Sequence, residues 1–168
     1  MLRKIKLLYL EYRKRKFMKE LNNYLFVFNN ILDNLKKLGD ETNPNIRLGG
    51  SLILKLHGLN FSRKSGDLDV IVDNPTEGQK NYMQGMQAIS TSNCGDYSED
   101  SFKVAISGCY MNILIKKPGI VYPKLYYVYG STNYSICSID EIITAKKDYG
   151  RKKDLIDFQM LKNENFNV

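Results

Sequence analysis

Apolar residues recur at three- and four-residue steps through the opening 38 residues. Phe17, Leu21, Tyr24, Leu25, Phe28, Ile31, Leu32 and Leu35 fall on one stripe, which predicts an amphipathic helix with a core-facing side. Ile5, Leu8 and Tyr12 keep a similar step among basic residues, so the segment reads as one long helix or as two with a bend. Gly39 ends it, and Asn43-Pro44-Asn45 is a loop. Ile46-Arg47-Leu48 is a short strand, Gly49-Gly50 a sharp turn, and Ser51 the cap of a helix from Leu52 to His57 that Gly58 closes. After a polar loop over 60–66, residues 67–72 alternate polar and apolar and then turn apolar, as a strand entering a core does. Asp73-Asn74-Pro75 turns the chain, and Thr76 caps a helix to about Ser90 with Met83, Met86 and Ile89 inward. A loop over 91–101 leads to a hairpin, Phe102–Ile106 and Cys109–Ile115 around Ser107-Gly108. Further strands are expected at 125–129 and 134–137. Ser138-Ile139-Asp140-Glu141 has the capping-box pattern and opens a helix. A last helix over 151–162 carries Leu155, Ile156, Phe158 and Leu161 on one face. This order predicts an α/β (α+β) fold: a small mixed sheet with flanking helices over 39–168, preceded by a long basic helix over 1–38.

The length, 168 residues, suits one domain with a short appendage. Hydrophobic residues at 43% provide enough apolar side chain for a core, which excludes a fully disordered chain. No apolar run approaches the roughly 20 residues that span a bilayer, so no membrane partner is expected. The net charge of +7 is unevenly placed. Residues 1–20 hold eight basic and two acidic residues, whereas residues 21–145 hold eleven basic and twelve acidic. The basic N-terminal helix therefore suits an RNA or another anionic partner, and otherwise reads as a solvated face. Cys94, Cys109 and Cys137 are widely spaced and His57 is the single histidine, which argues against structural zinc. Reduced thiols, and the lack of an apolar h-region after the basic start, fit a cytoplasmic protein. Abundant Lys, Asn, Ile and Tyr without Trp point to an AT-rich genome, such as that of a low-GC bacterium or its phage.

The candidate chemistry lies in Leu48-Gly49-Gly50-Ser51 followed by Gly66-Asp67-Leu68-Asp69-Val70. A strand repeats every two residues, so Asp67 and Asp69 share one face while Leu68 and Val70 enter the core. Two adjacent carboxylates repel and raise one pKa unless a cation lies between them. Mg²⁺ or Mn²⁺ answers that need, because hard ions take carboxylate and phosphate oxygens together. The two glycines let backbone approach a ligand closely, and Ser51 adds a hydroxyl. Together these parts describe a site for a metal-bound triphosphate.

The segment LGGSLILKLHGLNFSRKSGDLDVIV resembles the signature of the nucleotidyltransferase (DNA polymerase β-like) superfamily. It is most similar to small stand-alone members and to the toxins of abortive-infection toxin–antitoxin systems. The stretch from Ala145-Lys146 to Arg151-Lys152-Lys153-Asp154-Leu155-Ile156-Asp157 resembles the same group, so the likeness covers about residues 46–162. It implies that Asp67 and Asp69 hold the metal and that Gly49, Gly50 and Ser51 hold the phosphates. It also implies that Lys146 steadies phosphate charge, with Arg151 and Asp154 beside it. One departure stands out. The family places a third carboxylate in an apolar–Asp–apolar–apolar segment, where this chain reads Met111-Asn112-Ile113-Leu114. Asn112 offers an oxygen but no charge; Asp96, Glu99 and Asp100 precede the hairpin and are alternative sources of one.

Each of these residues has a plainer reading. The acids could line a solvent-facing edge, Lys146 an exposed helix face, and Arg151 with Asp154 a helix-end pair. Arg63 and Lys64 read as solvated loop residues, His57 as structural, and Tyr122, Tyr126, Tyr127 and Tyr129 as sheet packing. Two functions stand against each other. One is an enzyme that moves a nucleoside monophosphate from a triphosphate to a hydroxyl of an RNA end, a protein or a small molecule. The other is a catalytically degenerate module that binds nucleotide, nucleic acid or a protein partner. An assembly protein docking through its N-terminal helix is a third reading.

Overall fold

The computed structural model describes residues 2–39, 45–57, 66–89, 101–116 and 125–163. The loop residues expected at 43–44, 60–65 and 91–100 lie outside them, with Gly58, Arg63, Lys64, Cys94, Asp96, Glu99, Asp100 and Tyr122. The elements are α1 (Leu2–Lys37), β1 (Ile46–Gly49), α2 (Gly50–Leu56), β2 (Leu68–Asp73), α3 (Glu77–Ile89) and β3 (Ser101–Ile106). They continue as β4 (Cys109–Lys116), β5 (Leu125–Tyr129), β6 (Thr132–Ile136), α4 (Ile139–Tyr149) and α5 (Lys152–Asn163). The fold is mixed α/β. The opening segment is one helix rather than two.

The six strands form one sheet in the order β3-β4-β2-β1-β6-β5. β1 pairs antiparallel with β2, and β2 runs parallel to β4. The register places Gly49, Asp69 and Asn112 side by side across three strands. That row, with Arg47, Ile71 and Leu114, belongs to one face of the sheet. The other face is apolar: Leu48, Leu68, Val70, Val72, Met111 and Ile113 are buried in the same core as Leu21, Leu25, Phe28, Leu32 and Leu35 of α1. Each fully buried side chain of this kind contributes about 1.5–3 kcal/mol. The C-terminal half of α1 is therefore part of the core.

Helix ends follow their caps. Thr76 Oγ1 accepts from Gln79 N at 3.1 Å and Gln79 Oε1 accepts from Thr76 N at 3.0 Å, a complete capping box. Ser138 Oγ accepts from Glu141 N at 3.2 Å, as its sequence pattern requires. The Ser51 cap is not formed. The N-cap of α2 is Gly49, which has no side chain, and Ser51 sits inside the helix. The expected apolar face of α5 is also corrected. Leu155 and Ile156 are 56% and 43% exposed, while Asp154 and Asp157 are wholly buried beside Leu161.

Arg47 of β1 pins the sheet to α4. It donates from Nε and Nη2 to the two carboxylate oxygens of Asp73 at 2.7 and 2.8 Å, and from Nη1 to Glu141. His57, at the end of α2, donates from Nε2 to Cys137 O at 2.8 Å, a structural role as expected. Cys109 and Cys137 are free thiols, both buried. Among the described residues no helix is long and apolar enough to cross a membrane.

Candidate functional site

Strand β2 delivers Asp69 from within the sheet and Asp67 from the residue just before it. The two carboxylates converge on one side chain. Asn112 Nδ2 donates to Asp69 Oδ1 at 3.0 Å and to Asp67 Oδ2 in a shorter bond. Burial pushes the Asp69 carboxyl above its ordinary pKa and Asp67 adds to the effect; the Asn112 bond and the charges of Lys146 and Lys153 oppose it. The pair thus demands positive partners, and a neutral amide meets part of that demand.

The β1–α2 turn closes against the same carboxylate. Gly50 adopts a left-handed backbone with φ +75, and a Cβ built on it would lie 2.0 Å from Asp69 Oδ2. No larger residue fits without moving Asp69. Gly49 is also tight, since a Cβ there would lie 2.6 Å from Ile71 Cδ1. Gly50 therefore sets backbone directly against the acid, and Gly49 sets it against Ile71 and Cys137.

Lys146 of α4 does not lie on an exposed helix face. It is 5% exposed. Its ammonium donates to Asp157 Oδ2 at 2.6 Å, Asp154 Oδ1 at 3.2 Å and Ser51 Oγ at 3.2 Å. Ser51 Oγ in turn lies 3.3 Å from Asp157 Oδ2 as a donor. An ammonium has three protons, and these bonds use all three. Lys146 therefore meets the site through Ser51 rather than by presenting a free ammonium.

Arg151 and Asp154 form a helix-end pair. Arg151 is the residue before α5, and Asp154 Oδ2 accepts from its backbone N at 3.2 Å and from its Nε at 2.7 Å. Burial raises the Asp154 pKa, but the bonds from Arg151 and Lys146 outweigh it and hold the group below its ordinary value. The guanidinium also stacks over Tyr149, 4.7 Å from the ring centre. A cleft opens beside these groups, walled by Gly50, Asp69, Ile71, Lys146, Tyr149 and Arg151. All nine candidate residues thus fall into one connected region. Asp67, Asp69, Asn112, Gly49 and Gly50 form its carboxylate side, and Ser51, Lys146, Arg151 and Asp154 the hydrogen-bonded network behind it.

Asp157 was missed as a support residue. The signal was present, because Asp154 and Asp157 stand three residues apart on α5, but their partner lies on another helix. Tyr149 was also missed; no spacing marks it.

A hard divalent cation fits the donor set at Asp67 and Asp69, whose oxygens converge within reach of one side chain. Among the described residues no group of three or more His, Cys, Asp or Glu side chains gathers to hold a metal, so the site has two acids and an amide. Neither the protein-family models, the curated proteins nor the solved structures compared with this chain match it, and the reading of the site rests on its own geometry.

Proposed function

We propose that the protein is a metal-dependent nucleotidyltransferase that moves a nucleoside monophosphate from a triphosphate to an acceptor hydroxyl. The observation that supports this reading is the closure of Gly50 on Asp69, with Asp67 beside it. That arrangement leaves bare backbone next to paired carboxylates, which suits a polyphosphate carried with a hard cation. A bound Mg²⁺ or Mn²⁺ supplies charge neutralisation and polarises the phosphates. The chain does the rest. Asp67 and Asp69 would hold the cation that meets the phosphates, the Gly49-Gly50 backbone lies along the phosphates, and the Tyr149–Arg151 stack flanks the cleft where a base and sugar fit. The acceptor oxygen forms a bond to the α-phosphorus, the bond to the bridging oxygen breaks, and pyrophosphate leaves with that electron pair. The hydroxyl proton passes to Asp67 or to solvent, because an amide such as Asn112 cannot take it.

A second reading is favoured by one observation. Asn112 stands where a third acid would, and its amide already ties the two carboxylates together. On that basis the fold binds nucleotide without turning it over.

Titration calorimetry tests both. With Mg²⁺ or Mn²⁺ present, one of ATP, GTP, CTP and UTP is expected to bind, and Asp67→Asn/Asp69→Asn should weaken binding at least ~100-fold. Binding that persists unchanged in EDTA or in the double variant would sink the assignment of the site. Release of pyrophosphate with an acceptor supports the enzyme; tight binding without release supports the module.

A further inference from the structure

Helix α1 changes character along its length. Its inward positions from Leu21 to Leu35 are buried, whereas Leu8, Tyr9 and Tyr12 are 57–63% exposed. Lys14, Arg15, Lys16 and Lys19 are exposed too. Phe17 packs against the core; at about 1.5 Å per residue, residues 2–16 before it make an arm about 22 Å long, with Lys19 at its root.

The packing of α1 fixes where the arm goes. Its C-terminal turns sit at the Asp73 end of β2. Gln79 bonds Leu35 O at 2.7 Å, and Asn45, bonded to Gln79, reaches Asp73 O at 2.9 Å. Its middle sits at the Asp67 end. Asn23 Nδ2 lies 3.5 Å from Cys109 Sγ, at the start of β4, and Glu20 lies 3.6 Å from Lys55 of α2. Burial, with Cys109, Glu20 and Asp67 adding to it, pushes the Tyr24 hydroxyl up to about 12. The arm therefore leaves the body at the carboxylate edge.

Its chemistry is that of a polyanion binder. The arm carries the excess charge of the chain, eight basic and two acidic residues over 1–20, on a body that is nearly neutral. At 100° per residue, Lys14, Arg15, Lys16 and Lys19 spread over about 200° of the helix circumference. A second copy would set one cationic arm against another. Exposed Tyr9 and Tyr12 offer ring faces among the cations, with Arg13 5.7 Å over Tyr9. Cations interleaved with aromatics suit unpaired bases on a phosphate backbone. The Asn112 face of the sheet carries a similar cation–aromatic pair. Lys103 Nζ lies 4.9 Å over the Tyr110 ring, and Lys103 pairs across the strands with Asn112.

We propose that the α1 arm docks a single-stranded nucleic acid on Lys14, Arg15, Lys16 and Lys19 and leads it to the edge that carries Asp67 and Asp69. That this strand is also the acceptor rests on the transfer reading above. The test uses the full chain with a fluorescein-labelled 20-nucleotide single-stranded RNA, in EDTA and without nucleotide, followed by anisotropy from 50 to 200 mM salt. Binding should weaken as salt rises. Replacing Lys14, Arg15, Lys16 and Lys19 together by Gln should lower the salt slope by about 3 and weaken binding at 50 mM at least ~30-fold. Glutamine is a good helix former, so circular dichroism should be unchanged. Tyr9→Ala/Tyr12→Ala should weaken binding about tenfold with the slope unchanged. A wild-type chain that ignores the RNA at 50 mM salt, or a quadruple variant that binds like wild type, overturns the proposal. Displacement of the RNA by poly-L-glutamate at equal charge overturns it in favour of an acidic protein. No metal or triphosphate is present, so failure here leaves the carboxylate site untouched, and failure of the calorimetry leaves the arm.

Discussion

Lys146→Met is expected to destabilise the protein by about 3–5 kcal/mol at pH 7. The ammonium is held between Asp154 and Asp157, both with no solvent exposure. Removing it strands two buried carboxylates. Arg151 still bonds Asp154, so the heavier loss falls on Asp157. The sign of the pH dependence follows from Asp154, whose folded pKa is depressed. Its stabilising contribution is present above the unfolded carboxylate value of about 3.9 and is lost as pH falls below it. The gap between wild type and variant should therefore hold from pH 7 to about 4 and narrow as pH falls further. Urea unfolding measures this as a shift in midpoint at constant slope. Adding Asp157→Asn to Lys146→Met should recover part of the loss by removing the stranded charge. A single variant within about 1 kcal/mol of wild type at pH 7, with no pH trend, would show that Lys146 does not hold the helices together.

Asn112→Asp should act in opposite directions with and without a divalent cation. The wild-type amide donates to both Asp67 and Asp69. An aspartate there donates nothing and adds a third negative charge. In EDTA the variant should lose about 1–3 kcal/mol from the unmade bonds, with repulsion added to that. With Mg²⁺ it should regain stability, because ligand binding to the folded state alone stabilises it. The melting temperature should rise with Mg²⁺ by at least ~5 °C more than that of wild type. A variant indifferent to Mg²⁺ would mean that these positions do not converge on a cation, and the metal-dependent reading would fall. Pyrophosphate release separates the two functions: a tenfold or larger gain over wild type marks the natural chain as a binding module, and an unchanged rate marks Asn112 as no obstacle to transfer.

Local pattern reaches some of this architecture and stops short of the rest for a physical reason. The α1 stripe, the Thr76 and Ser138 caps and the Gly49-Gly50 turn beside Asp67 and Asp69 are legible because their partners lie a few residues away or follow a strand's alternation. The inward face of α5 is not. Charged residues are read as solvent-facing, yet Asp154 and Asp157 turn inward because Lys146 is there to meet them, which pushes Leu155 and Ile156 out. Ser51 fails as a cap because the helix starts one residue earlier, at Gly50, and its hydroxyl turns to Lys146 and Asp157 instead. Arg47 looks like an ordinary strand residue, and its partners Asp73 and Glu141 lie 26 and 94 residues away. Gln79, buried at a junction of Leu35, Asn45 and Thr76, has the same history. Periodicity carries short-range information; ion pairs that close the tertiary structure are set by distance in space.

The bond from Ser51 to Lys146, and the one to Asp157, join residues 95 and 106 positions apart in the chain. That separation has a consequence for the order of synthesis. A ribosome makes the Gly-Gly turn and both acids well before it makes the lysine and aspartate that secure them. A nascent chain, or one released early by a stalled ribosome, would carry the acids on an unfastened turn. The turn would then be secured late, only once α4 and α5 have been made.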